Sequence, residues 1–314
     1  LLAWRIQLGS NRGPWWDGSK LMPVSPLDYR YGRDEAKEIW SREGRHARLL
    51  EVERALIWAH SKMGRVSPED YDAIAEISDP GIVTADRVDE LEQETKHDIM
   101  ALTKAMAEAA GEAGWCVHLG ATSNDIVDSA VALQIKDSIC IQDESLRRLV
   151  LTMCEIAQRE KGTVMLGRTH GQAAVPITFG LKVAVWIDEF RRHLDRLEEM
   201  TSRCTTGKFL GAVGTGAAQG DRALELQELV LGNLGLEVPV ATTQVVGRDR
   251  YVEWVSWMAN VATSIEKVLQ EVRNLQRTEI GEVSEEFETE KQVGSSTMAH
   301  KKNPITAENA CGLA

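Results

Sequence analysis

Four of the chain's seven histidines fall in short polar or glycine-marked breaks between apolar-periodic segments. The breaks are Lys96-His97-Asp98, the run His118-Leu119-Gly120-Ala121-Thr122-Ser123-Asn124-Asp125, the run Gly167-Arg168-Thr169-His170-Gly171, and the run from Gly294 to Pro304. The last of these carries Ser295, Ser296, His300, Lys301, Lys302 and Asn303. Loops hold functional groups while the regular elements position them. Hydroxyls, imidazoles, amides and a lysine pair suit an anionic substrate with several carboxylates or a phosphate. Such a substrate would be handled by proton transfer rather than by a metal. His46, His60 and His193 fall on helix faces instead and are expected to be structural.

Three other chemistries fit less well. His97, Cys116 and His118 could supply zinc ligands, but neither H-E-x-x-H nor paired C-x-x-C spacing is present. Gly211-Ala-Val-Gly214-Thr-Gly216 invites a phosphate-loop reading, yet no strand precedes it and neither nucleotide-binding spacing is met. Tight packing at a helix break explains it better. A Ser-His-Asp hydrolase needs a G-x-S-x-G elbow between strand and helix, which is absent.

Composition narrows the class further. The 314 residues include 36 Lys plus Arg against 48 Asp plus Glu, a formal charge of −12. That balance argues against nucleic acid as a partner, because phosphate binding needs a basic footprint. No apolar run approaches the ~18 residues of a membrane span, so no membrane partner is expected. The five cysteines are scattered and form no C-x-x-C pair, which reads as reduced thiols in a cytoplasmic protein.

Proline placement points to the elements that must position these groups. None of the eight prolines lies between Pro80 and Pro176, and proline breaks helix interiors. Gaps filled with Ala, Leu, Glu and Arg predict long helices, and strand-like runs are nearly absent. The fold class is all-α. Helical periodicity begins at Asp34, Ser67-Pro68 opens another helix, and one further helix is expected over 86–112. Long helices are expected over 125–159, 181–200 and 249–280, making an elongated bundle whose apolar stripes favour self-association. Residues 1–22 read as an irregular, possibly foreign leader, 23–120 as a small N-terminal helical domain, and 121–314 as a long central bundle. The chain stops inside an apparent helix, so the bundle is expected to be incomplete.

These segments resemble the fumarase/aspartase superfamily and, within it, the adenylosuccinate lyase family. The run GSSTMAHKKNP is similar to the superfamily signature G-S-S-x-M-P-x-K-x-N-P. HLGATSNDIVDSA, GRTHGQAAVPITFG, TKHD, TTQVVGRDR and the early RYGRDEAKEIW match in the same order. Ala299 stands where the signature has proline, and Lys302 where arginine is usual. The resemblance implies elimination of fumarate from adenylosuccinate to give AMP, and from the succinylo-aminoimidazole-carboxamide ribotide of the purine pathway. It implies no cofactor and no metal. The family's C-terminal helical domain is expected to be missing. Within the superfamily, a 3-carboxymuconate cycloisomerase is the nearest rival, and a non-catalytic helical scaffold is the rival of another class.

Carried over residue by residue, the resemblance makes Ser295 the base, His170 the general acid and Glu308 the acidic group that orients the histidine. Thr122 and Ser123 match carboxylate-binding hydroxyls. Lys301 and Asn303 match the signature's substrate clamp, with Ser296 and Lys302 beside them as further substrate-binding positions. Arg30, Tyr31, Lys96, His97, Asp98, His118, Gln244 and Asn309 match positions that contact nucleotide or succinyl groups. Asp98 reads equally well as a charge at a helix N-terminus, and Arg248-Asp249-Arg250 as a structural ion pair at a helix start.

A helix rises 1.5 Å per residue, so some 30 residues after Thr122-Ser123 separate its ends by ~45 Å. The Thr122-Ser123, His170 and Ser295 segments are therefore expected to be well separated in one chain. The family's solution is a homotetramer with active sites shared between subunits. A local cationic patch of Lys96, His97, Lys301 and Lys302 is expected to attract the polyanionic nucleotide substrate.

Overall fold

Helix boundaries in the computed structural model, which describes residues 31–286, 297–298 and 300–314, follow their sequence signals at most ends. Helix α1 (Asp34–Trp40) leads into α2 (Arg42–Lys62), where the Ser41 hydroxyl accepts the Gly44 N–H at 2.9 Å. Ser67 caps α3 (Pro68–Ile77), with proline in the first turn where its missing N–H does no harm. The single helix expected over 86–112 is two: α4 (Ala85–Thr95) and α5 (Asp98–Ala110), followed by a 3-10 turn over Gly111–Cys116. Lys96 takes a left-handed backbone between them (φ 55°), and the His97 ring accepts the Met100 N–H at 3.4 Å. Side-chain bonds from Thr95 and His97 compete locally with the helical ladder and end it.

The spine of the molecule is α6 (Ser123–Arg159), 37 residues or about 55 Å. Asp125 starts it by accepting the Thr122 N–H at 2.8 Å. One short sheet then departs from the purely helical expectation. Strands β1 (Val164–Thr169) and β2 (Gln172–Thr178) pair antiparallel around the two-residue turn His170-Gly171. Both turn residues have positive φ (55° and 74°), the backbone that matches the twist of a hairpin and that glycine supplies freely. Pro176 is tolerated because a two-stranded hairpin has only edges.

From Thr178 the chain returns as α7 (Phe179–Cys204), crosses to α8 (Ala223–Leu234), and runs out again as α9 (Asp249–Leu275); α10 (Ile305–Leu313) closes it. Ion pairs fix the directions. Arg203 at the end of α7 meets Glu253 near the start of α9, Lys182 near the start of α7 meets Glu271 near the end of α9, and Arg248 meets Asp128 on the first turns of α6. Thus α6 and α9 run parallel with α7 antiparallel between their ends.

Two apolar clusters hold this arrangement. The first joins Leu50, Leu56 and Ile57 of α2 to α3, α4, α5, the start of α6 (Ile126, Leu133) and α8 (Leu226, Val230, Leu231). The second joins Ile135, Ile139, Leu146 and Met153 of α6 to Val183, Phe190 and Leu197 of α7 and Trp254, Trp257 and Val268 of α9. Fully burying one such side chain contributes roughly 1.5–3 kcal/mol. Helix α6 serves both clusters, and so it carries the geometry from one end to the other. Among the described residues, no helix is long and apolar enough to cross a membrane.

Candidate functional site

At the start of α6, the chain gathers several of the predicted residues. Ser123 Oγ lies 3.4 Å from His97 Nε2, bringing the Lys96-His97-Asp98 break against the first turn of α6. Lys96 and His97 are exposed, while Thr122 and Ser123 are half-buried. Asp98 opens α5 and pairs with Arg45 at 3.2 Å, as a helix N-terminal charge would. His118 sits in the turn just before, with a left-handed backbone (φ 61°) and its Nδ1 2.6 Å from Glu53. Tyr31 is half-buried ahead of α1.

Beneath these groups lies a buried ionic frame. Lys208 and Asp125 are paired with essentially no exposure, and Lys208 Nζ also donates to the Gly211 carbonyl at 3.1 Å. Burial pushes the Asp125 carboxyl up, against the pull of Lys208 and the backbone N–H groups of Thr122 and Gly211. Asp128 accepts from Val246 N at 2.8 Å and from Arg248 at 2.9 Å. The ion pair expected within Arg248-Asp249-Arg250 is therefore made with α6, while Arg250 donates to the Arg203 carbonyl at 2.6 Å. The glycine run fits the packing reading: a Cβ at Gly214 would run into the Thr242 carbonyl. Through these contacts the segment bearing exposed Gln244 is held at this same end.

The far end of α6 presents a different set. His170 is exposed at the tip of the hairpin. The hairpin is tied to the chain after α9 by a two-pronged pair, Arg168 with Glu282 at 2.8 and 2.7 Å. That arginine holds the Glu282 carboxyl below its usual range, and burial opposes it only partly. A cleft of about 660 Å³ opens beside the end of α9, lined by Arg273, Arg277, His300, Lys301, Lys302, Asn303 and Glu308. Asn309 is exposed on α10. Glu285 fixes α10 by accepting the Thr306 and Ala307 N–H groups at 3.1 and 2.7 Å, a carboxylate at a helix N-terminus. A second cavity of about 690 Å³ lies between the hairpin and Glu282-Val283. Glu160, Glu282 and apolar side chains line it, a poor match to a polyanion.

The expected separation holds for the groups that are described. Thr122-Ser123 opens α6 and His170 follows its end, with about 55 Å of helix between. No hydrogen bond among the described residues joins Glu308 to His170. The single cationic patch expected from Lys96, His97, Lys301 and Lys302 is corrected to two. Lys96 and His97 lie at the start of α6, Lys301 and Lys302 at the end of α9, and the rigid bundle keeps them apart. Arg30, Ser295 and Ser296 lie outside the described residues, as does Ala299.

Sequence reasoning missed Glu53, Lys208, Glu282, Glu285, Arg273 and Arg277. For Glu53 a signal existed: it lies three or four residues from Leu49, Leu50 and Leu56, a charge on the apolar face of α2. Lys208 had no such mark, since its partner is 83 residues away.

Long helices with polar motif segments gathered at opposite ends define an elongated helical-bundle scaffold. A family described simply as lyase matches residues 28–314, and the chain belongs to that family, within the fumarase/aspartase superfamily. Among the relatives it resembles is the adenylosuccinate lyase of Pyrococcus abyssi, 50% identical over 93% of this chain and 65% of that protein. The adenylosuccinate lyase of Methanothermobacter thermautotrophicus is 46% identical over 93% of this chain and 66% of that protein. The chain thus spans just under two thirds of the length of these relatives. Among solved structures, a 3-carboxy-cis,cis-muconate lactonizing enzyme from Pseudomonas putida superposes with a TM-score of 0.83 at 32% identity, covering 91% of this chain and 64% of that one.

Proposed function

We propose that this chain is the greater part of an adenylosuccinate lyase, which eliminates fumarate from adenylosuccinate to give AMP and from the analogous succinylated carboxamide ribotide. One observation carries the reading: relatives of that name match at 45–50% identity over 93% of the chain. The chemistry of the exposed groups supports it, because cations, hydroxyls and imidazoles line both ends of the bundle.

In this reading Ser295 takes the proton beside a succinyl carboxylate. The electron pair left on that carbon forms the new C=C bond as the C–N bond breaks, and His170 gives a proton to the departing nitrogen. Ser295 is a competent base only if donors stabilise its alkoxide, and Ser296, Lys301 and nearby backbone N–H groups would serve. The carboxylate gathers charge as the proton leaves, and Thr122, Ser123, Lys301 and Asn303 would take it up. Glu308 orients His170. Arg30, Tyr31, Lys96, His97, Asp98, His118, Gln244, Lys302 and Asn309 bind the remaining nucleotide and succinyl groups. No cofactor takes part.

The working form in this reading is a cytoplasmic homotetramer with each site shared between subunits. Its support is the ~55 Å between the two ends of α6, together with apolar side chains left exposed on the long helices, Leu151, Leu181, Val185, Val252 and Val255. Release of AMP and fumarate from adenylosuccinate tests the reaction, run beside a cycloisomerase assay because of the likeness to the Pseudomonas putida enzyme. Size-exclusion chromatography of the same sample reads the assembly. Cycloisomerase activity without AMP release overturns the proposal. Mixing His170→Gln with Ser295→Ala protein tests sharing: two dead variants should regain activity on mixing, and a mixture that stays dead argues for sites within one chain.

A further inference from the structure

Three carboxylates are buried among the described residues, and two of them answer to permanent cations: Asp125 to Lys208 and Asp128 to Arg248. The third, Glu53 on α2, answers to a histidine. Its Oε1 lies 2.6 Å from His118 Nδ1, and its Oε2 is buried with no hydrogen-bond partner among the described residues. A carboxylate in an apolar core is strongly disfavoured unless something offsets its charge. His118 comes to it from a strained left-handed backbone, and the turn that carries it is pinned from behind. Both His60 Nε2 and Gln219 Nε2 reach the Leu119 carbonyl at 3.0 Å. The imidazole is 19% exposed, and no described residue bonds its Nε2.

We propose that Glu53 is the positioning residue of this half-site: it accepts the His118 Nδ1–H and favours the charged ring, whose Nε2–H then donates to a carboxylate or phosphate oxygen of the ligand. A carboxylate on one ring nitrogen sets the state of the other. The inference rests on the polyanionic-substrate reading given above, but its first test does not. The charged groups that face His118 are Glu53 from α2 and Asp125 from α6, the latter held by Lys208; Arg65 stands one layer back, beside His60. Burial alone would lower the His118 pKa, and the charge and hydrogen bond of Glu53, with Asp125, more than reverse this and raise it above 6.5. Affinity for an anion is therefore full below that range and lost as pH rises through the raised value.

Glu53→Gln keeps an acceptor for Nδ1–H and removes the charge. Ring 15N NMR of His118 in the full chain should show the proton on Nδ1 when the ring is neutral. It should also show a pKa about one unit lower in Glu53→Gln, a tenfold change in the protonation equilibrium. An unchanged pKa, or a proton on Nε2 in the neutral wild-type ring, overturns the proposal. If the variant does not fold, the wild-type tautomer alone decides this arm.

The second arm measures binding of fumarate and of AMP from pH 5.5 to 8.5. Glu53→Gln should bind up to tenfold more weakly near neutral pH and recover wild-type affinity at pH 5.5, where both rings are charged. Recovery for fumarate alone assigns the contact to a carboxylate, and for AMP alone to the phosphate. A loss that is equal at every pH marks Glu53 as merely structural and overturns the inference. If the wild type binds neither probe, the proposed function fails and the anion contact with it, while the NMR arm still reads whether Glu53 sets the ring.

Discussion

The two ends of α6 handle charge in opposite ways. At its start, Asp125, Asp128, Lys208 and Glu53 are buried and each meets an oppositely charged or chargeable partner within this chain. At its far end, His170, Lys301, Lys302 and Glu308 are exposed around the hairpin tip and an open cleft. The first end is preorganised, since its loops are fixed by a frame with little freedom to relax. The second end holds out its groups from a hairpin and a short helix, tied by pairs such as Arg168–Glu282 that water can reach. Substitutions in the buried frame of the first end should therefore act first through stability, and those of the exposed groups at the second through binding and turnover.

The largest effect is expected at the buried pair. Lys208→Met leaves Asp125 buried without its cation and should destabilise the fold by about 3–5 kcal/mol, read by denaturant unfolding. Retention of wild-type stability would show that water reaches Asp125 and that the start of α6 is not a sealed frame. Next is His170→Gln, expected to lower turnover by about a hundredfold or more while leaving the melting temperature unchanged, because the side chain is exposed. A variant with normal turnover across the pH range would remove His170 as the acid; one that melts early would erase the contrast between the ends.

Smaller effects follow at the tie beneath the hairpin. Arg168→Met should leave the melting temperature near that of the wild type and raise amide exchange in β1 and β2. Unchanged exchange would mean that the hairpin needs no tie to the chain after α9. The smallest and most diagnostic difference is in pH dependence. His118 has a raised pKa, so its contribution to stability is full below 6.5 and fades as pH rises through the raised value. Glu282 has a lowered one, so its contribution is full above 4.5 and fades as pH falls through the lowered value. Amide exchange should therefore loosen around residues 118–123 on the alkaline side and around the hairpin on the acid side. Both regions loosening on the same side would contradict the two pairings.

Much of this was legible before any coordinates, and the reasons differ by residue. The long helices declared themselves because periodicity and the absence of proline are local properties, and α6 ran past the expected 125–159 by only two residues at its start. The hairpin was not declared. Its strands are six and seven residues long and stabilised by pairing with each other, so no run of one kind was long enough to show. The break at Lys96-His97 was visible as a polar segment, yet a helix was expected straight through it. What ended the helix was side-chain competition for backbone bonds, which composition does not register. Among candidate site residues, motif order was enough to single out His97, Thr122, Ser123, His170 and Lys301. Their grouping was not, and the one cationic patch became two.

The sequence by itself determined the helical class, the long uninterrupted spine and the chemical types available at the breaks, because periodicity, proline spacing and side-chain chemistry are carried by neighbouring residues. Only the tertiary structure decided which groups meet. Lys208 finds Asp125 across 83 residues and Glu53 finds His118 across 65. Such pairings depend on how separate helices pack, and burial then turns each of them from an exposed charge into a constraint on the site.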